Sequence, residues 1–250
     1  MSLVLREHAS PHHDPRPPAT TIDTIVLHTA ATRDDAGALA TLTGAGGPAT
    51  LTGTGAIRSA HYLVGRDGVV WRLVAEARRT AHAGPSWWRG RSGLDDRSIG
   101  IALTAPDPRE AGYPVLQLVA ACDLCLAILS RHAIAPGNII GLGDIAPDRA
   151  EDPGALFDWE GLARNGVGLW PDDVPDFGTG STVRDAARLR DVRAALAMIG
   201  YRIAPEGPLD PALSTVLRAF QRHWRPEAVN GQADAGTLVR LLAVARLAAG

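Results

Sequence analysis

The sequence predicts a mixed α/β fold, in which helices flank a central β-sheet, followed by a small C-terminal bundle of three helices. Short β-branched and apolar runs at residues 22–27 and 98–103 are typical of buried strands. Residues 114–132 repeat their apolar side chains at helical spacing. Three further helical patterns follow residue 182, after a stretch rich in Pro, Asp and Gly.

The first half of the chain predicts an arm, strands and a hairpin. Pro and His dominate the first 20 residues, so we expect an irregular arm on the surface. The apolar run over residues 22–27 predicts a strand, and His28 falls at its end. Gly, Thr and Ala dominate residues 41–58, which predicts a flexible loop. Two apolar runs flank the turn sequence GRDG at residues 65–68, and this pattern predicts a β-hairpin.

The second half predicts a helix, a short strand and the separate bundle. Pro114 suits the first turn of the helix over residues 114–132, and the strand-like NII follows. Gly200 ends the first helix of the bundle, and Asp210 caps the second. We therefore expect an arm (1–20), an α/β domain (21–171), a linker (172–182) and a helical domain (183–250).

Composition excludes some classes of partner. The chain has 250 residues, is 46% hydrophobic and 21% charged, and carries a net charge of -2. Such a balance provides no basic field for nucleic acid or anionic lipid. The N-terminus lacks the apolar core of a signal peptide, and no apolar stretch approaches the roughly 20 residues of a membrane helix. We expect a cytoplasmic protein by default, with a periplasmic or extracellular location requiring another export route.

Cys122 and Cys125 form a C-x-x-C pattern inside the apolar helix at residues 114–132. Redox pairs of this spacing lie at a turn between a strand and a helix, and this pair does not. Residues three apart share one helix face. The spacing therefore predicts two small core residues.

Seven segments, in this order, resemble the signature segments of one enzyme family: IDTIVLH, SAHYLV, DGVVWRLV, AHAGPSWWRG, LDDRSIGIAL, GLGDIAP and DPGALFDW. Together they resemble zinc-dependent N-acetylmuramoyl-L-alanine amidases, which share their fold with peptidoglycan recognition proteins. The resemblance covers residues 22–170. The segments LRAFQRHWRP and NGQADAGTL resemble the three-helix peptidoglycan-binding module. This resemblance implies an amidase-like α/β domain and a peptidoglycan or muropeptide ligand.

The resemblance also implies positions for a zinc site. In the family, zinc is held by a histidine at the end of the first strand, a histidine in a Gly-His motif and an aspartate in Asp-Pro-Gly. A zinc-bound water attacks the amide between the muramic acid lactyl group and L-alanine. His28 matches the first ligand and Asp152 the third. Leu142 occupies the position of the second.

Two more family positions are substituted. Family members carry a glutamate in the strand SIGIEL and a lysine two residues before the ligand aspartate, where they transfer protons and stabilise the oxyanion. Ala102 and Ala150 stand there in this chain. Leucine has no lone pair, so His28 and Asp152 supply two of the three protein ligands of a catalytic zinc site. We expect zinc to be absent or weakly bound and the amidase site to be degenerate.

Candidate ligand contacts lie elsewhere in the matched segments. His82 matches a groove-lining position of the family, and His61 is a candidate substrate contact, although a hydrogen-bonded structural histidine is an equal alternative. Trp87 and Trp88 are candidates for stacking on sugar rings, with one of the two expected in the core.

Three functions from different classes fit the sequence. The first is a non-catalytic binder of peptidoglycan or muropeptides. The second is an active zinc amidase, in which water or a residue of the arm such as His12 or His13 replaces the missing ligand. The third is a scaffold that keeps only the fold and binds proteins through another surface. Stem-peptide specificity and oligomeric state are left open.

Overall fold

A computed structural model describes residues 3–44, 59–105, 112–172, 174–175, 178–180 and 182–250. The strands are β1 (Leu5–Glu7), β2 (Asp14–Pro15), β3 (Thr24–Thr29), β4 (Tyr62–Val64), β5 (Val70–Arg72), β6 (Arg78–Arg79), β7 (Trp87–Trp88), β8 (Arg91–Ser92), β9 (Ser98–Leu103) and β10 (Ile139–Gly141). The helices are α1 (Asp35–Thr43), α2 (Leu94–Arg97), α3 (Val115–Leu129), α4 (Leu142–Ile145), α5 (Trp159–Arg164), α6 (Ala186–Ile199), α7 (Pro211–Trp224) and α8 (Ala235–Ala249).

The central sheet has six strands in the order β1-β5-β4-β9-β3-β10. All neighbouring pairs are parallel except β4 and β5, which form the predicted hairpin. Gly68 in its turn has φ +85, a left-handed conformation that favours glycine. Every residue of β3 and β9 is buried, as parallel strands require when both faces of a sheet are covered. The predicted mixed α/β fold is confirmed.

Alternating side chains of β3 enter two different cores. Ile25 and Leu27 belong to the buried cluster that includes the inner face of α3. Val26 belongs to the cluster that includes α6 and α7. Successive strand residues point to opposite faces, so His28 lies on the face of Val26. Because β3 runs to Thr29, His28 is the second-last residue of the strand.

The N-terminal arm is more regular than predicted. Its β1 extends the central sheet through parallel pairing with β5, and β2 pairs with β6. Arg16 fixes the arm by donating to the backbone carbonyls of Glu76, Asp96 and Ser98. The expectation of an irregular arm was wrong because these contacts are long-range, and a short Pro-rich segment gives no local sign of them.

Two sequence predictions for local structure have different outcomes. The predicted loop over residues 41–58 overlaps the end of α1, and its remainder from residue 45 lies outside the described residues. Cys122 and Cys125 are both buried on α3 as free thiols, so their assignment to the core is confirmed. Burial raises the pKa of the Cys125 thiol, which is consistent with an unreactive core side chain.

The three predicted C-terminal helices are α6, α7 and α8. Each begins at an aspartate whose side chain accepts a backbone N–H of the first turn; these caps are Asp185, Asp210 and Asp234. Phe220 and Trp224 are buried with their rings stacked at 5.3 Å, so both are core residues of the bundle. Within the described residues, no helix is both long and apolar enough to span a membrane.

One buried cluster joins the helical bundle to the sheet domain. It contains Val26 and Ile140 of the sheet together with Leu196, Phe220 and Trp224 of the bundle. A continuous core of this kind couples the stability of the two parts. The predicted boundaries at residues 171 and 183 are not tested by these contacts and stay a prediction.

Asp144 is the polar centre of this junction. Its carboxylate accepts from the backbone N–H of Gly141 at 2.9 Å and from the Tyr201 hydroxyl at 2.5 Å. It also pairs with His223 Nδ1 at 2.8 Å. The imidazole of His223 is stacked between the indoles of Trp159 and Trp224, at centroid distances of 3.8 and 3.6 Å. A buried carboxylate is stable here because donors from both parts of the chain satisfy it.

Replacement Tyr201→Phe removes one donor from the buried Asp144 carboxylate. The free energy of unfolding should fall by about 1–3 kcal/mol, since a buried acceptor loses a partner. Urea denaturation followed by circular dichroism and by tryptophan fluorescence measures this loss.

Arg222→Ala provides the comparison at the same junction. It removes an ion pair with Glu151; the Glu151 side chain is 50% exposed and that of Arg222 is 13% exposed. The lost ion pair should cost less than about 1 kcal/mol, because its carboxylate faces solvent. Equal costs for the two variants, or no loss in Tyr201→Phe, would contradict the assigned role of Asp144.

Candidate functional site

The ends of three neighbouring strands meet at one edge of the sheet. His28 of β3 lies directly opposite Ala102 of β9, and Leu27 lies opposite Gly141 of β10. Leu142 follows Gly141 and begins α4, so it stands beside the end of β3. Parallel pairing therefore brings together three positions that are far apart in the sequence.

Asp152 reaches this edge from the loop after α4. The backbone N–H of Thr29 donates to its Oδ2 at 2.8 Å, and Gly143 N–H donates to its backbone oxygen at 2.8 Å. These contacts hold Asp152 against the ends of β3 and β10. The structure thus brings residues 28, 102, 142 and 152 to one edge, while their assigned chemical roles stay predictions.

The substituted positions lie in apolar surroundings. Leu142 is completely buried and belongs to the cluster shared by the sheet and the helical bundle. Ala150 is partly buried against the same cluster. Ala102 is completely buried in a different cluster with Leu63 and Leu42. Each side chain has hydrocarbon neighbours, and none has an atom that could bind a metal or transfer a proton.

The rings of three histidines lie next to one another beneath this edge. The His28 and His82 rings are nearly parallel with centroids 6.1 Å apart, and the His61 ring meets His82 edge-on at 5.7 Å. All three side chains are buried. Gly100 of β9 makes room for them, because a Cβ at this position would lie 2.4 Å from His82 Cγ. The glycine in SIGIAL is therefore a packing requirement.

Hydrogen bonds hold the His82 ring at both of its nitrogens. Ser98 donates its hydroxyl proton to the carbonyl of Leu94, so His82 Nε2–H donates to Ser98 Oγ at 2.7 Å. His82 Nδ1 lies 2.8 Å from the Thr80 hydroxyl and 3.0 Å from the Thr80 carbonyl. Burial, reinforced by the neighbouring His28, lowers the pKa of His82 well below its usual value. A contact between His82 and a ligand stays a prediction.

His61 has a similar set of partners. Its Nδ1 accepts from Gly100 N–H at 2.9 Å, which leaves Nε2–H to donate to the Arg78 carbonyl at 3.0 Å. Burial lowers the pKa of His61 well below the usual value, and the nearby His82 lowers it further. These interior contacts favour the structural interpretation of His61, and its role as a substrate contact likewise stays a prediction.

The two adjacent tryptophans have different environments. Trp88 is completely buried, donates from Nε1 to the Gly137 carbonyl at 3.0 Å and packs edge-on against Tyr201. It is the core member of the pair, as the sequence analysis expected. Trp87 is half-buried, and the guanidinium of Arg202 lies 5.3 Å from its ring centroid. Trp87 is therefore the member available to a ligand.

Sequence reasoning missed the groups that hold the loop after His82. Asp95 accepts from the backbone N–H groups of His82, Ala83 and Gly84. Arg149 donates to the carbonyls of Ala83 and Pro85. Their partners are backbone atoms, which leave no signal in the sequence. Together they fix the position of this loop relative to the edge of the sheet.

A metal requires several donors at one point. Across the described ranges, no group of three or more His, Cys, Asp or Glu side chains is placed to hold a metal ion. His12 lies beside Gly44, and His13 Nδ1 accepts from Arg78. The suggestion that either one replaces a ligand stays a prediction.

Comparisons with known proteins identify relatives of the whole chain. The family model described as N-acetylmuramoyl-L-alanine amidase matches residues 18–155, more than half of the sequence. The chain is 36% identical to the N-acetylmuramoyl-L-alanine amidase AmiD of Escherichia coli strain K12 over 234 residues, covering 86% of this chain and 79% of AmiD.

Two solved structures superpose on the fold, each with a bound muropeptide. AmiD from E. coli, in complex with anhydro-N-acetylmuramic acid-L-Ala-D-gamma-Glu-L-Lys, gives a TM-score of 0.77 at 32% identity and covers 94% of this chain and 93% of its own. AMPDH3 from Pseudomonas aeruginosa, in complex with anhydromuramic pentapeptide, gives 0.73 at 31% identity and covers 90% and 92%. The similarity extends beyond the sheet domain to the helical bundle.

Proposed function

Because the chain belongs to the N-acetylmuramoyl-L-alanine amidase family, we propose that it binds peptidoglycan or muropeptides without hydrolysing them. The proposal has two parts. The first is that the hydrolytic site has lost its metal, and the second is that the surface that recognises the ligand is kept.

The burial of Leu142 carries the first part. Leu142 lies beside the end of β3, where the family resemblance requires a second zinc-binding histidine. Its side chain is completely buried and belongs to an apolar cluster. His28 and Asp152 are then the only matching donors, and two protein ligands do not fit a catalytic zinc site, which uses three. We derive no metal-dependent step for this chain.

Ala102 and Ala150 support the same conclusion through different chemistry. The methyl group of Ala102 cannot take or return a proton, and that of Ala150 cannot stabilise an oxyanion. Both residues contact apolar clusters. The metal, the proton transfer and the charge stabilisation are thus each removed by a separate substitution.

Binding is supported by the preserved framework and by the relatives. The register of β3, β9 and β10 is regular up to the candidate site, and Asp95 and Arg149 hold the neighbouring loop. AmiD and AMPDH3 were both solved with muropeptides, and both cover at least 90% of this chain. A muropeptide is therefore the ligand that we propose for this chain.

One observation favours the alternative of an active zinc amidase. His28 and Asp152 are both retained, and both lie at the end of β3. A substitute donor at this edge would complete a three-ligand site. The two proposals differ in metal content and in the fate of a bound muropeptide.

The proposed function predicts saturable binding without product release. Anhydro-N-acetylmuramic acid-L-Ala-D-gamma-Glu-L-Lys, titrated into the purified full-length chain by calorimetry, should bind and be recovered intact. Mass spectrometry after prolonged incubation detects any free tripeptide. Release that stops when a chelator is added would replace the proposal by the active amidase, and the absence of binding would support the scaffold alternative.

Leu142→His should restore a third zinc ligand. Loss of even an outer partner of a metal ligand weakens zinc binding by about 10–100-fold, so restoring a direct ligand should raise affinity by at least about 100-fold. Competitive titration with a zinc-sensitive dye measures this gain. Leu142→Asn is the matched control, because asparagine is close in size to leucine and polar like histidine but lacks the imidazole.

Restoring hydrolysis should need more substitutions than restoring metal binding. Leu142→His combined with Ala102→Glu should hydrolyse the muropeptide, because a positioned proton-transfer group contributes roughly 10² to 10⁴-fold in rate. Ala150→Lys should increase this further by stabilising the oxyanion. If Leu142→His binds zinc no more tightly than Leu142→Asn, the assignment of position 142 to the zinc site is wrong.

A further inference from the structure

On the side of Trp87, a groove lies between the sheet domain and the helical bundle. Its volume is about 980 Å³, and one wall is formed by the loop around Trp87 and by Ile145, Pro147 and Asp148. The segment around Arg202 and the first turns of α7 form the other wall. None of residues 28, 102, 142 and 152 lines it, so the groove differs from the strand-edge site.

The wall that carries Trp87 is rigid. Asp95 and Arg149 fix the backbone from His82 to Pro85 through hydrogen bonds to three N–H groups and two carbonyls. The Ser86 hydroxyl donates to the Gly84 carbonyl and accepts from Leu94 N–H. A ligand would therefore meet a preformed surface and would order few side chains on binding.

Trp87 offers an aromatic surface inside this groove. Its neighbour Trp88 anchors the pair in the core, while Trp87 is half-buried and lines the groove. Arg202 lies over the Trp87 ring at 5.3 Å. A fixed indole beside polar donors offers a flat apolar face next to groups that form hydrogen bonds. It suits a ligand that also has an apolar face and hydrogen-bonding groups.

The remaining lining favours an uncharged polar ligand. Its charged residues are Asp148, Arg193, Arg202 and Asp210, two of each sign. Arg193 pairs with Asp210 at 3.3 Å, its side chain is 1% exposed, and its Nε has no hydrogen-bond partner in the described part of the chain. Thr215 and Ser92 add hydroxyl groups. Opposite charges that cancel do not attract a polyanion. The Ser92 and Thr215 hydroxyls, the Asp148 carboxylate and the Arg202 guanidinium can bond sugar hydroxyls and amides.

We propose that this groove is a glycan subsite, in which a neutral N-acetylhexosamine oligosaccharide stacks one ring on Trp87. The proposal rests on the proposed function, since it assigns the glycan part of the ligand to a surface outside the strand-edge site. The groove is formed by both parts of the chain, so a bound glycan spans them. The helical bundle then contributes Arg202 and the start of α7 to recognition.

Trp87→Ala tests the subsite in the full-length chain. Chitotetraose, a chain of four N-acetylglucosamine units, serves as the probe and is titrated by calorimetry. Loss of an aromatic stacking surface should weaken its binding by about tenfold. Trp170→Ala is the matched control, because Trp170 also lies under an arginine, Arg240 at 5.3 Å, but in another groove. The control should bind chitotetraose like the wild type.

A second measurement on the wild type is independent of variant folding. In a nitrogen-15 spectrum, the indole N–H signal of Trp87 should shift on addition of chitotetraose, while that of the buried Trp88 should stay. Equal binding by wild type and Trp87→Ala, or a Trp87 signal that does not move, would overturn the subsite.

The muropeptide separates this inference from the proposed function. Binding of the anhydro-muropeptide without binding of chitotetraose would overturn the subsite and leave the proposed function in place. Binding of chitotetraose through Trp87 without binding of the muropeptide would support the subsite and contradict muropeptide binding by this chain.

Discussion

The buried carboxylate of Asp144 is the constraint on which the rest of the arrangement depends. It lies two residues after Leu142, and it binds Gly141 of the sheet together with Tyr201 and His223 of the helical bundle. A buried carboxylate is costly unless it is fully bonded, so neither part can move away without leaving it unsatisfied. Asp144 thereby fixes the position of the helical bundle beside the loop that leads to Asp152.

The surroundings of Leu142 are consistent with the proposal that the family fold persists here without its chemistry. A completely buried leucine contributes about 1.5–3 kcal/mol through the removal of its surface from water. A histidine without a metal in the same apolar surroundings would need hydrogen-bond partners for both ring nitrogens. In this account Leu142 strengthens the core between sheet and bundle, and recognition of the ligand moves to surfaces that do not require a metal. The proposed non-catalytic function follows from this exchange.

The sequence predicted the elements whose signals are local. Periodicity located β9 and α3, the hairpin turn located β4 and β5, and the residue at position 210 identified the start of α7. Family motifs indicated positions 28, 142 and 152. Strand register brings the first two together, and a hydrogen bond from Thr29 N–H holds Asp152 beside them. The sequence could not predict the pairing of β1 with β5 or the role of Asp144, because both depend on partners more than 50 residues away. The interior location of His61 and His82 was equally inaccessible, since their hydrogen bonds involve backbone atoms and small hydroxyl side chains.

The zinc content of the purified wild-type chain tests the central claim most directly. Elemental analysis after expression with added zinc and removal of loosely bound metal gives the number of zinc ions per chain. If position 142 is the lost second ligand, as proposed, the purified chain should hold far less than one zinc. This content should stay low in every preparation that binds the muropeptide. One zinc per chain, bound tightly enough to survive dialysis, would contradict this account and establish that another group completes the site at His28 and Asp152.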